Sequence, residues 1–219
     1  MPKPSTQRKN RKQERSVETR GTILKAAARF FADSGLAGAR MDVIAAEAGV
    51  NKALLYYYFK SKESLFEAVI EDHFREFNRE ALELLASPGS ARTVLLRYAG
   101  LHFDFISKRQ RYSPLYQQLM MTGGKPLIHL VRKYFMPRGE ALGKLLERGM
   151  RDGEFRKASR MNTSISIVAL IVFYFSSAKV LQQLGHTDAY SKANLKRRRQ
   201  ETLDFIRHGL FVHPEAPLT

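Results

Sequence analysis

Apolar residues in the first third of the chain recur at helical spacing, and the gaps between the sets fall where turns form most easily. Ile23, Leu24, Ala27, Phe30 and Phe31 trace one face of a helix that begins near Glu18 and stops at Ser34-Gly35. Met41, Ile44, Ala45 and Ala48 fall at i, i+3, i+4 and i+7 of a second helix, after which Gly49 supplies the residue most tolerant of a left-handed cap. Asn51 is a good N-cap for a third, short helix whose inward residues would be Leu55 and Phe59. A longer helix follows, with Leu65, Phe66, Val69, Ile70, Phe74 and Phe77 running to a break at Ser87-Pro88-Gly89. At its start, Ser61-Lys62-Glu63-Ser64 meets the capping-box pattern only loosely, because the last position holds Ser where Glu or Gln is usual.

Beyond that break the pattern predicts helices over 91–108, 113–121, 126–150, 160–184 and 190–211, separated by Gly123-Gly124, Asp152-Gly153 and Gly185. Pro137 is expected to split or kink the helix over 126–150. No stretch alternates with the period of a strand, and no segment repeats at a fixed length. The expected fold is all-α, with a small N-terminal three-helix domain and a larger helical C-terminal domain. Its expected divisions are a flexible basic arm over 1–18, the three-helix domain over 19–64 and the C-terminal domain over 65–219.

Composition changes this picture in one respect. Hydrophobic residues at 44% and charged residues at 26% are ordinary for a globular protein and exclude wholesale disorder, but 37 Lys and Arg against 21 Asp and Glu leave a net charge of +16. Such an excess favours polyanions, nucleic acid first. Lys3, Arg8, Lys9, Arg11, Lys12 and Arg15 crowd the arm, which offers almost no apolar side chain to a core and is read either as a solubilising tail or as a minor-groove contact. Cysteine is absent, which removes disulfides, zinc thiolates and a Cys nucleophile. The first twenty residues lack the apolar run of a secretory signal, and the longest apolar stretch, Ile165 to Phe175, is too short to span a membrane, so the expectation is a cytoplasmic protein, nucleoid-associated through DNA, with no membrane partner.

Residues 40–59 meet the demands of a helix-turn-helix: small residues where helices touch (Ala45, Ala48), a turn glycine (Gly49) and a polar start to the last helix. Asn51, Lys52 and Ala53 would face the bases. Tyr56, Tyr57 and Tyr58 follow; with Leu55 and Phe59 already on the inward face they cannot all be core, and tyrosine hydroxyls donate well to phosphates.

The stretch from Thr19-Arg20-Gly21-Thr22-Ile23-Leu24 through Ala27, Phe30-Phe31 and Gly35, then Val43-Ile44-Ala45-Ala46-Glu47-Ala48-Gly49-Val50 and Leu55-Tyr56-Tyr57-Tyr58-Phe59-Lys60-Ser61-Lys62-Glu63-Ser64-Leu65, resembles the tetracycline-repressor-like (TetR) family. The resemblance implies phosphate contacts from Tyr56, Tyr58 and Lys62, and a backbone contact at the start of the second helix, where Arg40 and Met41 stand. Met41 replaces the usual Thr or Ser, so a hydroxyl contact is missing there and Arg40 is its electrostatic substitute. The resemblance further implies a DNA-binding domain over 19–64, a ligand-binding and dimerisation domain over 65–219, and a repressor that acts as a homodimer on a palindromic operator and answers to an unknown small-molecule effector, expected to be hydrophobic. Glu147-Arg148-Gly149-Met150-Arg151-Asp152-Gly153-Glu154-Phe155-Arg156 looks like the family's stretch before its last two long helices, which by analogy form a four-helix dimer interface burying Ile165, Val168, Val172, Leu203, Ile206 and Leu210.

For the effector, Phe103, Tyr116, Met120, Phe135 and Tyr174 are candidate lining residues, although the plain reading of such aromatic and sulfur-bearing residues is core. Lys196-Arg197-Arg198-Arg199 reads as a solvated helix face. Enzymatic readings find no support. The six histidines show no metal-ligand spacing, no Gly-x-Ser-x-Gly elbow occurs, and Gly123-Gly124-Lys125-Pro126 fails as a phosphate loop because Leu119 and Pro126 occupy required Gly and Ser/Thr positions. The expectation is a non-enzymatic regulator without cofactor or metal. A rival reading, an architectural protein that coats DNA without sequence preference, draws on the same positive charge.

Overall fold

The computed structural model describes residues 4–109, 117, 120, 123–185 and 188–217, with the backbone alone for 4–9, 12, 125 and 126, and every extended regular element among them is helical. The chain divides into two units, the first reaching His73 and the second beginning at Phe74, so the division falls inside a helix, later than the expected boundary after Ser64.

In the first unit, α1 spans Pro4–Gly38, α2 Met41–Glu47, α3 Lys52–Tyr58, and α4 (Lys62–Leu85) begins there. The flexible arm expected over 1–18 is, from Pro4 onward, part of α1. The physical reason is that Gln7, Arg8, Lys9, Lys12, Gln13, Glu14 and Arg15 are good helix formers, so a helix nucleated by its packed part propagates outward even without an apolar face. The helix end expected at Ser34-Gly35 is present as a break inside α1, where Gly35 takes φ 69° before one more turn. Gly49 takes φ 66° after α2, and the Val50 N–H reaches the Ala45 carbonyl at 3.0 Å, the closure that a left-handed cap permits. The core of this unit is Ile23, Ala27 and Phe31 of α1, Ile44 and Ala45 of α2, Leu55 of α3, and Leu65 and Phe66 of α4. Phe31 and Phe66 meet edge to face with ring centroids 5.1 Å apart.

In the second unit α5 (Ala91–Lys108) is buried almost all round, as befits a central helix. It packs against α7 (Met136–Arg151), α8 (Arg160–Ser176) and α10 (Lys192–Leu210), while α6 (Gly124–Leu130) and α9 (Ala178–Gln183) are short. Ser90, Ser159 and Ser191 cap α5, α8 and α10 through their hydroxyls. The Glu154 carboxylate accepts from the backbone N–H groups of Ala91 (2.9 Å) and Arg92 (3.0 Å), tying the turn after α7 to the start of α5. Gly149 is needed in that turn because a Cβ there would lie 2.2 Å from the Phe155 ring, which stacks on Phe211 at 5.4 Å.

The helix expected over 126–150 is divided as Pro137 suggests, but by widening rather than by a break. Val131–Phe135 forms a π-helical turn between α6 and α7, and the Met136 N–H reaches back to the Val131 carbonyl. Proline has no N–H to offer Lys133 and its ring would strike that carbonyl, so the chain takes the wider turn just before it. The helix expected over 160–184 likewise divides at Ser177 (φ −92°, ψ 0°) into α8 and α9. The helix expected over 113–121 falls mostly outside the described residues.

Candidate nucleic-acid interface

The first unit holds a short helix by its apolar side and leaves its polar side open. Leu55 and Phe59 are buried, whereas Asn51, Lys52, Ala53, Tyr56 and Tyr57 are exposed, Tyr57 at 80%. The Asn51 side chain accepts from the Leu54 N–H at 2.7 Å, so its oxygen serves as the N-cap and its amide N–H₂ is not used by the cap. Lys52 and Lys60 are exposed and make no ion pair among the described residues. The scaffold beneath is tied by the Arg29–Glu47 ion pair between α1 and α2 and by the Arg20 guanidinium 5.4 Å over the Phe59 ring.

Several expected contact groups already have partners inside the unit. Tyr58 is half-buried and its hydroxyl donates to Ser16 Oγ of α1 at 3.0 Å, which joins the basic start of α1 to the end of α3. The Lys62 ammonium donates to the carbonyls of Ala37 (3.1 Å) and Ala39 (3.3 Å), so two of its three protons close the turn between α1 and α2 and one remains. Arg40 pairs with Asp42 (Nη2 to Oδ2 2.6 Å); this contact raises the arginine's pKa and lowers the aspartate's, in both cases first through the hydrogen bond. The Met41 side chain, expected at the DNA backbone, is buried among the helices, as the i, i+3, i+4 pattern itself requires, and offers DNA no side-chain contact.

The capping box at α4 is complete despite Ser64. The Ser61 N–H donates to Ser64 Oγ at 3.0 Å and the Ser64 N–H donates to Ser61 Oγ at 3.1 Å, so a hydroxyl does the work of the usual carboxylate. Lys60 and Ser16 were not singled out by the motif; the first follows from its exposure beside α3, the second only from the packing of α1.

In the second unit the five candidate effector residues do not form one group. Phe103 is buried against Phe175 (5.0 Å), and Tyr174 meets the same ring edge to face (5.4 Å) while its hydroxyl donates to the Ala189 carbonyl at 2.7 Å. Phe135 belongs elsewhere, edge to face with Phe74 at 5.2 Å. Met120 is half exposed, and Tyr116 lies outside the described residues.

The candidate dimer residues divide as well. Ile165 is exposed, Val168, Val172 and Leu203 are half-buried, but Ile206 and Leu210 are buried against their own chain and offer only the floor of a groove. On α10 the inward set is Thr202, Ile206 and Leu210, and a step of one residue turns a helix by about 100°, so the outward apolar group there is Phe205. Phe173 and Phe205, 70% and 68% exposed, border that groove of about 830 Å³ between α8 and α10. Among the described residues no helix is long and apolar enough to cross a membrane, and no three His, Asp or Glu residues converge. Arg199 ion-pairs with Asp104, Arg198 donates to the Leu170 carbonyl and Arg197 to Asn194 Oδ1, so three members of the basic run are engaged with their own unit.

Residues 23–69 match the family described as bacterial regulatory proteins, tetR family, and residues 92–206 match the tetracyclin repressor-like C-terminal domain. The chain is 30% identical over 174 residues to the HTH-type transcriptional repressor NicS of Pseudomonas putida, covering 75% of this chain and 78% of that protein. It is 38% identical over 89 residues, 41% of each chain, to the HTH-type transcriptional activator FasR of Mycolicibacterium smegmatis. Among solved structures, a transcriptional regulator from Saccharomonospora viridis in complex with choline has a TM-score of 0.73 at 20% identity, covering 89% of this chain and 98% of that one. The FadR regulator of Bacillus subtilis in complex with stearoyl-CoA has a TM-score of 0.70 at 19% identity, covering 84% and 96%.

Proposed function

Because the chain belongs to the TetR family of bacterial transcriptional regulators, we propose that it is a repressor that binds a palindromic operator as a homodimer and leaves it when a small apolar molecule occupies the second unit. The observation that carries this reading is the start of α3, where Asn51, Lys52 and Ala53 stand exposed on a helix whose other side is anchored by Leu55 and Phe59. A helix held that way presents its N-terminal residues to base edges in the major groove. Tyr56 and Tyr57 donate to phosphates beside it, and Lys60 and the remaining proton of Lys62 add charge. Arg40, released from Asp42, serves the same backbone, and the basic turns of α1 before Ser16 reach the adjacent groove. Tyr58, through Ser16, holds those turns in place.

Repression has the support of NicS, and FasR shows that relatives also activate. An effector has the support of the choline and stearoyl-CoA complexes. Dimerisation is supported by Met161, Ile165, Phe173 and Phe205, large apolar groups exposed on α8 and α10. A second copy covers them, with Val168, Val172 and Leu203 at the margin. The protein acts in the cytoplasm, on the nucleoid. The effector must bind the released state better than the DNA-bound state, since equal affinity shifts nothing.

The test is selection of randomised duplex DNA by the purified protein at about 150 mM salt, where nonspecific binding is weakened. An inverted repeat is expected; enrichment of no motif would replace the repressor with an architectural DNA binder. On the recovered site, Lys60→Ala should flatten the salt slope by about one unit, and Phe205→Glu should convert the dimer to monomer in sedimentation.

A further inference from the structure

The second unit buries a cation that its own chain does not neutralise. Arg138, on α7, is 8% exposed, and among the described residues its guanidinium donates from Nη1 to Asn78 Oδ1 at 3.3 Å. No carboxylate pairs with it among the described residues, and the residues whose side chains are not described, 1–9, 12, 110–116, 118–119, 121–122, 125–126, 186–187 and 218–219, include no Asp or Glu. A buried charge without a partner is strongly unfavourable. The Phe77 and Phe135 rings, 5.0 and 5.4 Å from the guanidinium carbon, offset part of that cost but cannot supply a countercharge.

Two further buried polar atoms stand beside it unsatisfied. Among the described residues the Tyr98 hydroxyl and His102 Nδ1, on α5, have no partner within hydrogen-bond geometry, although Tyr98 is fully buried and His102 5% exposed; the Tyr98 hydroxyl feels the Arg138 guanidinium beside it. Their rings lie 6.0 Å apart, and His102 rests on Phe77 at 4.9 Å. Burial, and then the charge of Arg138, hold the His102 pKa down to about 3, so the imidazole is neutral and the cluster carries the single charge of the arginine. Burial pushes the Tyr98 hydroxyl up, which keeps it a donor. Asn78 of α4, Tyr98 and His102 of α5 and Arg138 of α7 thus bring a cation, a hydroxyl and an imidazole together, against Phe77, Phe105 and Phe135.

We propose that this cluster is the head-group site for the effector, whose apolar body then ends in a carboxylate: a small, hydrocarbon-rich organic acid that releases this protein from DNA. The guanidinium fork takes the carboxylate side-on, the Tyr98 hydroxyl and the His102 ring hydrogen-bond to its oxygens, and the hydrocarbon part lies on the phenylalanines. A monoanion balances one guanidinium, whereas a phosphate dianion would leave a second charge buried. The π-helical turn ending at Phe135 adjoins the site, the kind of local distortion often found where a ligand is held. The proposal rests on the reading of the second unit as the effector domain.

The experiment is thermal unfolding of the full-length protein with decanoate and 3-phenylpropanoate, each against a neutral counterpart, 1-decanol and 3-phenylpropanamide. The carboxylates are expected to raise the Tm by roughly 5 °C near saturation and the neutral compounds by much less. Arg138→Met should abolish the difference and, without ligand, unfold at or above the wild-type temperature, because it removes an unpaired buried charge. Tyr98→Phe, which keeps the ring, should reduce the carboxylate shift and guards against a folding defect in the first variant. Equal shifts for neutral compounds, shifts that persist in Arg138→Met, or no shift with either carboxylate would overturn the site. Operator binding by the wild-type protein is measured separately. Carboxylate stabilisation without operator binding would leave the site standing and remove the repressor reading, while operator binding without a carboxylate response would do the reverse.

Discussion

In the first unit four polar side chains find partners within the unit: Tyr58 reaches Ser16, Lys62 closes on Ala37 and Ala39, and Ser61 and Ser64 cap each other. In the second, Tyr98, His102 and Arg138 lie buried beside one another with, among the described residues, one long hydrogen bond from Arg138 to Asn78. The first arrangement is a finished scaffold, whose remaining donors point to solvent and meet a partner from outside. The second is unfinished in its interior. Buried polar groups that a fold does not satisfy are retained at a cost, and a ligand that satisfies them is favoured by the same amount.

The contrast breaks most sharply if the first unit loses its core. Phe31→Ala removes a buried ring packed on Phe66 and should cost about 3–5 kcal/mol, read by urea unfolding. Operator binding should vanish while decanoate still stabilises the second unit; loss of both responses together would mean that the units do not fold separately. Next in size, Gly49→Val forces a branched side chain to adopt φ 66° and should cost about 1–2 kcal/mol, whereas Gly49→Asn should cost less. Equal stability for the two variants would show that the turn relaxes to another conformation.

A smaller effect probes the second unit through pH. The folded pKa of His102 is depressed to about 3 from 6.5, so the unfolded chain binds its proton first as pH falls. The stability this contributes is complete above 6.5 and is lost as the solution is acidified, by about 1 kcal/mol between pH 6.5 and 5.5. His102→Gln should remove that part of the acid sensitivity. An unchanged pH profile in the variant would show that His102 takes up its proton in the fold. The smallest expected change belongs to Tyr58→Phe, which deletes the bond to Ser16 and should cost about 0.5–1 kcal/mol in denaturant unfolding with the salt slope of DNA binding unaltered. A flatter slope would return Tyr58 to the phosphate contacts.

Much of the first unit was legible in the chain because its signals are local. Periodicity located α2 and α3, Asn51 and Gly49 located their caps, and the i, i+3, i+4 pattern of Met41, Ile44 and Ala45 described the buried face. That same pattern turns the Met41 side chain inward and leaves Arg40 as the exposed side chain at that point. The length of α1 was missed because a polar segment can be a tail or a helical extension, and only its attachment to a packed helix favours the second.

The sequence by itself determined the all-helical class, the reading head and its cap residues, because these depend on interactions within a few positions of one another. Tertiary structure decided the rest. Ile206 and Phe205 are both apolar and adjacent in sequence, yet one faces its own core and the other the solvent, a choice made only when α8 and α10 pack. Arg138, Tyr98, His102 and Asn78 are likewise unremarkable along the chain. Their meaning comes from three helices that enclose a positive charge, and the energy of a charge depends on what surrounds it rather than on its neighbours in sequence.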